Sequence, residues 1–270
     1  MKKVIDAFLF FNELDMLDFH LHEMYDAVDY FVIGECHETF AGNSKKLLFE
    51  LNKARYAKFA DKIIHLVIER CPEEHTAWER EEFQRDSLMK GIETIPELKD
   101  SDVILVTDVD EIVDAGIFND MPPIETDTVY ALEQDVYYYN IHSRFKEKQC
   151  FSRLCNVGLA RNHGFQHIRF RMRARIIRQA GWHFSYFGSA ESIATKIKNF
   201  SHQDLNTKQI VDLDRIQDVI DAKVDLFGRN QLKAEKYQID HVEVADNKYL
   251  PKFYEMILGC EHWELMKPDH

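Results

Sequence analysis

The chain has 270 residues, 34 Lys+Arg against 47 Asp+Glu, a formal net charge of −13, 45% apolar residues and 30% charged residues. This is a globular composition that argues against disorder, and its acidic balance disfavours a general nucleic-acid binder. The length allows one large domain or one with a small appendage; no apolar run reaches the roughly 20 residues that cross a bilayer, and no cleavage site follows the apolar start.

In chain order, Val4 to Phe11 reads as a buried strand, broken only by Asp6. Leu14, Leu17, Leu21, Met24 and Val28 step by three and four, which is one face of a helix. Tyr30 to Gly34 and Lys62 to Ile68 read as the next strands, Thr76 to Ile92 as a helix, and Asp102 to Thr107 as a fourth strand ending in Asp108-Val109-Asp110-Glu111. Strands separated by helical patterns predict an α/β fold with a mostly parallel, twisted, doubly wound sheet flanked by helices. Further on, Val136 to Tyr139 looks strand-like. Arg169, Arg171, Arg173 and Arg175 alternate with apolar residues as if on one strand face. Glu191 to Phe200, Asp212 to Val224 and Lys248 to Leu258 look helical. With no repeat or linker, the chain is expected to be one domain: residues 1–112 a nucleotide-binding half, 113–205 a half for acceptor and metal loop, and 206–270 a helical extension.

Two absences narrow the chemistry. The nearest two of the ten glycines, Gly158 and Gly164, are six apart, so no dinucleotide fingerprint, P-loop or nucleophile elbow can be written. A bound phosphate would need another holder. The five cysteines form no CxxC pair, and their odd number suits reduced thiols in a cytoplasmic protein.

Asp108 and Asp110 supply such a holder. Ligands of open α/β sheets bind beyond the carboxyl ends of the strands. Two carboxylates there can converge on Mg²⁺ or Mn²⁺, which then neutralises a diphosphate. A solvated acidic turn is the plain alternative. His183, in Gly181-Trp182-His183-Phe184-Ser185, is placed by its flanking glycines in a constrained loop as a third ligand, with His202 a weaker candidate. Arg80, Arg85 and the arginine strand are the basic features suited to diphosphate, or else a face paired with local acids. Tyr137 to Tyr139 could stack on a sugar or be core. A phosphohydrolase of the haloacid-dehalogenase type also opens on a strand ending DxD. It places that motif near the N-terminus and adds a downstream Gly-Asp or Asp-Asp, and neither dipeptide occurs here.

Phe11-Asn12-Glu13-Leu14-Asp15-Met16-Leu17, Asp29-Tyr30-Phe31-Val32, Thr39-Phe40-Ala41-Gly42-Asn43, Trp78 with Gln84-Arg85, Asp108-Val109-Asp110-Glu111-Ile112 and Gly181 to Ser185 together resemble glycosyltransferase family 17. The resemblance runs over roughly residues 4 to 205. It implies a GT-A-type fold, a UDP-sugar donor (UDP-N-acetylglucosamine favoured), Mn²⁺ or Mg²⁺, and inversion at the anomeric carbon. Asp108 and Asp110 then hold metal and donor diphosphate, with His183 the histidine of the Gly-Trp-His motif. Asn12, Glu13 and Asp15 shape the nucleotide pocket, and Arg80, Arg85 and Lys196 assist the phosphates. The base that an inverting transfer needs is sought first at Glu111, then at Glu133 and Asp135. The sequence shows no anchor or stem, so a glycan or glycolipid acceptor is expected, with peripheral membrane contact left open. The alternative functions are a non-catalytic nucleotide-sugar-binding protein and, lower, a Mg-dependent phosphohydrolase.

Overall fold

The computed structural model describes residues 2–119, 124–229 and 237–263. The first part of the chain forms β1 (Val4–Leu9), α1 (Leu14–Met24), β2 (Tyr30–Cys36), α2 (Leu48–Asn52), β3 (Ile63–Ile68), α3 (Ala77–Ile92) and β4 (Val103–Val106). β1 pairs in parallel with both β2 and β4, and β2 with β3. Asp6, Ala7 and Phe8 in β1 and all of β4 are buried, the pattern of parallel strands covered on both faces. α3 opens on a capping box in which Thr76 and Glu79 satisfy each other's backbone N–H, and it packs across β1, β2 and β3. Gly34 permits that close approach, since a Cβ there would lie 2.6 Å from Leu88 Cδ2.

The second part of the chain adds β5 (Glu111–Val113), β6 (Val129–Leu132), β7 (Asp135–Tyr138), β8 (Ser143–Phe145), β9 (Arg153–Asn156), α4 (Val157–His163), α5 (Phe165–Phe170), β10 (Ala174–Ile177), β11 (Gly181–Ser185), α6 (Ala190–Asn199), α7 (Leu213–Asp221) and β12 (Ile239–His241). β9 runs antiparallel between β4 and β6, and β10 joins the far edge parallel to β6. The seven-stranded order is β10-β6-β9-β4-β1-β2-β3. A second, five-stranded sheet, β12-β8-β7-β11-β5, stands beside it and was not foreseen in the sequence. No described helix is long and apolar enough to cross a membrane.

Four local expectations are corrected. Arg169 to Arg175 is not one strand: α5 carries the chain to Phe170, and β10 starts only at Ala174. Phe165 and Ile168 form the buried face of α5, and Arg169 joins them because its charge is paired. His183 lies on β11, held between β5 and β7, rather than in a loop. Lys248 to Leu258 holds only a short 3-10 turn, Tyr254–Ile257, because Pro251 has no N–H to extend a helix and Gly259 turns left-handed at φ 70°. Among the described residues of the C-terminal extension, α7 is the one α-helix.

Candidate active site

The turn after β4 is fastened from below. Asp6, wholly buried in β1, accepts from Thr107 Oγ1 at 2.7 Å and bonds His20 Nε2 at 2.8 Å. His20 reaches from α1 to the carbonyl of Val109, with Nδ1 at 2.9 Å. On the other side Glu111, 1% exposed, accepts from Asp108 N at 3.1 Å and Ser152 Oγ at 2.8 Å. Arg169 closes the knot with its fork: Nη1 donates to Glu111 Oε2 at 2.9 Å, and Nη2 to Glu111 Oε1 at 2.6 Å and Asp108 Oδ2 at 2.8 Å. Arg85, from α3, donates to the other Asp108 oxygen at 2.6 Å, to Glu81 at 2.9 Å and to Gln166 at 3.0 Å. Backbone and carboxylate of Asp108 are thus fixed by charge-assisted bonds.

Asp110 points elsewhere. Its Oδ2 accepts from Lys196 Nζ of α6 at 2.8 Å, and its Oδ1 lies 3.7 Å from His183 Nε2. Glu13, at the start of α1, comes within 3.6 Å of the same ammonium. Burial opposes ionisation of both aspartates. Arg169 and Arg85 outweigh it at Asp108, and Lys196 with His183 at Asp110, so both carboxyls stay below the ordinary carboxylate range. Burial likewise opposes the charge of Lys196, but Asp110 and Glu13 raise its affinity for the proton. Because the aspartates titrate lower when folded, their contribution is full above the unfolded carboxyl value of about 3.9 and fades as pH falls below it. Melting temperature should therefore drop below about pH 4. A curve flat from neutral to pH 3 would contradict these pairings.

Asp108, Asp110, Glu111, Arg85, Arg169, His183, Lys196, Glu13 and His202 all line one cleft of about 610 Å³, within the range of small-molecule sites. Asn12, Glu13, Asp15, Asp110 and Lys196 also line a small adjoining pocket of about 50 Å³. Asp15 pairs there with Arg55 at 2.5 Å. Arg80 lies outside the lining, donating to the Glu73 carbonyl at 3.4 Å. Glu133 and Asp135 lie outside it as well. Glu133 accepts from Gln179 N, and Asp135 pairs with Lys148 at 3.3 Å, while Val136 and Tyr138 face the cleft from the same strand. Tyr137, Tyr138 and Tyr139 are buried.

A divalent cation can be tested against these donors. Asp110 Oδ1 and His183 Nε2, 3.7 Å apart, offer an oxygen and a nitrogen to one cation. That pair suits Mn²⁺ or Mg²⁺ completed by phosphate oxygens. Asp108 accepts one guanidinium N–H on each oxygen and keeps a second lone pair on each that could face the cation. Among the described residues, groupings of three candidate ligands occur elsewhere, at Cys36–Glu38–Cys71 and His142–His241–Glu243.

β11 owes its position to Gly181, where φ is +143° and a Cβ would sit 2.1 Å from the Ile112 carbonyl oxygen. Gly181→Ala should cost at least about 1–3 kcal/mol and displace His183, visible as a lower melting temperature. An unchanged melt would contradict it.

The profile of glycosyltransferase family 17 matches residues 1–247, and the chain belongs to that family. The β-1,4-mannosyl-glycoprotein 4-β-N-acetylglucosaminyltransferases of Rattus norvegicus and Homo sapiens are each 28% identical to it over 116 residues, 41% of this chain and 22% of theirs. The match therefore spans less than a quarter of those relatives. Among solved structures, HddC from Yersinia pseudotuberculosis, complexed with GMP-PN, is similar at 7% identity and a TM-score of 0.33, covering 69% of this chain and 91% of that one. That likeness is too slight to bear on the fold.

Proposed function

We propose that this family-17 member transfers a sugar, N-acetylglucosamine favoured, from a UDP-sugar to a glycan or glycolipid acceptor, with inversion and on a GT-A-type scaffold. The observation that carries the reading is the buried Asp110 carboxylate beyond β4, facing a large cleft together with Lys196 and His183. The names of the matched relatives support N-acetylglucosamine as the sugar. A cytoplasmic setting fits five free cysteines, four of them buried.

In this reading the departing UDP develops negative charge, and the site meets it with fixed positive charge. Lys196 is pre-positioned by Asp110 and Glu13 to reach a phosphate oxygen, and Arg85 and Arg169 hold Asp108 and the turn rigid. Mn²⁺ or Mg²⁺, held by Asp110 and His183, would act as a Lewis acid toward the diphosphate. Asn12, Glu13 and Asp15 shape the nucleotide end. Glu111 lines the cleft, but Arg169, Ser152 and Asp108 N hold its oxygens, which favours a brace over a base.

Lys196→Met should weaken UDP affinity about tenfold or more, the loss of one charge-assisted contact, and should also lower the melting temperature, because the buried Asp110 carboxylate loses its ammonium partner. Calorimetric titration of UDP checks this, and undiminished affinity would remove Lys196 from the phosphate site. Release of UDP from UDP-N-acetylglucosamine separates an enzyme from a sugar-nucleotide binder.

A further inference from the structure

Of the described large hydrophobic side chains left in water, three are aromatic: Trp78 at 45% exposure, Phe151 at 37% and Phe170 at 52%. All three line the cleft that holds Asp108 and Asp110. The other exposed large hydrophobics are aliphatic, and none lines this cleft. Exposed apolar rings gathered at one concave site mark a ligand surface rather than random exposure.

The knot beneath the aspartates also positions these rings. Phe151 precedes Ser152, whose hydroxyl donates to Glu111 at 2.8 Å, and its ring meets His183 edge-on at 5.8 Å. Phe170 follows Arg169, whose guanidinium lies 5.5 Å from the Phe170 ring while clamping Asp108 and Glu111. Trp78 stands in the first turn of α3, the helix that supplies Arg85, and packs edge-on against His202 at 4.4 Å. Two of the rings thus adjoin groups that fix the aspartate turn, Phe151 next to Ser152 and His183 and Phe170 next to Arg169.

We propose that Phe151 and Phe170, with Trp78 of the same cleft lining, form a stacking platform for a pyranose ring of the acceptor saccharide. The proposal rests on the transferase reading above. A pyranose presents an apolar C–H face and a rim of hydroxyls. A lining that combines these rings with polar groups such as Gln149, Asn199 and Ser201 matches that amphipathic shape, whereas an acyl chain calls for a continuous aliphatic lining. The uracil of the donor is the other flat ligand at hand. Phe151, beside the proposed metal-holding His183, stands at the reacting end of the site instead.

Saturation-transfer NMR with cellotriose, mannotriose and chitotriose as probes, run alongside calorimetric titration of UDP, tests the assignment on the full chain. The wild type should bind at least one trisaccharide, with strongest transfer to its C–H face. Phe151→Leu and Phe170→Leu should weaken that binding about tenfold with UDP affinity unchanged, and Phe170→Tyr, which keeps the ring, should retain it. Circular dichroism and melting temperature confirm that the variants fold. No trisaccharide bound by the wild type, equal binding by the leucine variants, or UDP affinity lost together with the rings would each overturn the platform. Trisaccharide binding that follows the rings in a protein blind to UDP would support the platform and sink the transferase reading, so the two fail separately.

Discussion

Glu111→Ala is expected to destabilise the fold by about 3–5 kcal/mol, the scale for stripping one partner from a buried ion pair. The melting temperature should fall on the order of 10 °C. The side chain is 1% exposed and carries the Arg169 fork, the Ser152 hydroxyl and the Asp108 N–H. Its removal leaves a guanidinium that is itself buried with Asp108 as its one remaining carboxylate partner, and frees the turn that aims Asp110. UDP affinity should fall along with stability. Glu111→Gln distinguishes the two roles open to this residue: a brace loses stability and UDP affinity together, whereas a catalytic base would keep both and lose turnover. A stable, UDP-binding, inactive Glu111→Gln protein would return the base role to Glu111.

Asp110→Asn has the second large effect, on chemistry more than on folding. The amide preserves shape while removing the charge that holds Lys196 and that would hold a cation. Transfer should fall at least about a hundredfold, the usual cost of losing a preorganised electrostatic group. Lys196 would then keep only Glu13, 3.6 Å away, as a neighbouring acid. Steady-state UDP release in the presence of Mn²⁺ is the measurement, and activity within a few-fold of wild type would exclude Asp110 from the reacting site.

The sequence exposed the first half of this architecture because its strands are long apolar runs and its helices keep one apolar face. Asp108 and Asp110 could be picked out because they end such a run. The short strands β5, β8 and β11 leave no clear pattern: three to five residues give no periodicity, and β5 and β11 find their partners far along the chain. Arg169 carries a misleading pattern. A run of alternating arginines looks like a strand face, yet the first of them is a helical residue buried by its pairing with Asp108 and Glu111. Asp6 and His20 support the site without belonging to any motif. The signal was present, since a carboxylate inside an apolar strand must find a buried partner, and here that partner is the imidazole one helix later. The family resemblance identified Glu111 by its neighbours, but only the fold reveals how fully its oxygens are occupied.

Calorimetric titration of UDP-N-acetylglucosamine into the wild-type chain and Asp110→Asn, with Mn²⁺ and again with chelator, tests most directly whether this cleft is a donor-diphosphate site. Tight binding by the wild type with Mn²⁺, weakened by chelator and by Asp110→Asn, is the predicted result. No binding of UDP-N-acetylglucosamine or UDP under either condition, or equal binding by the variant, would contradict the assignment.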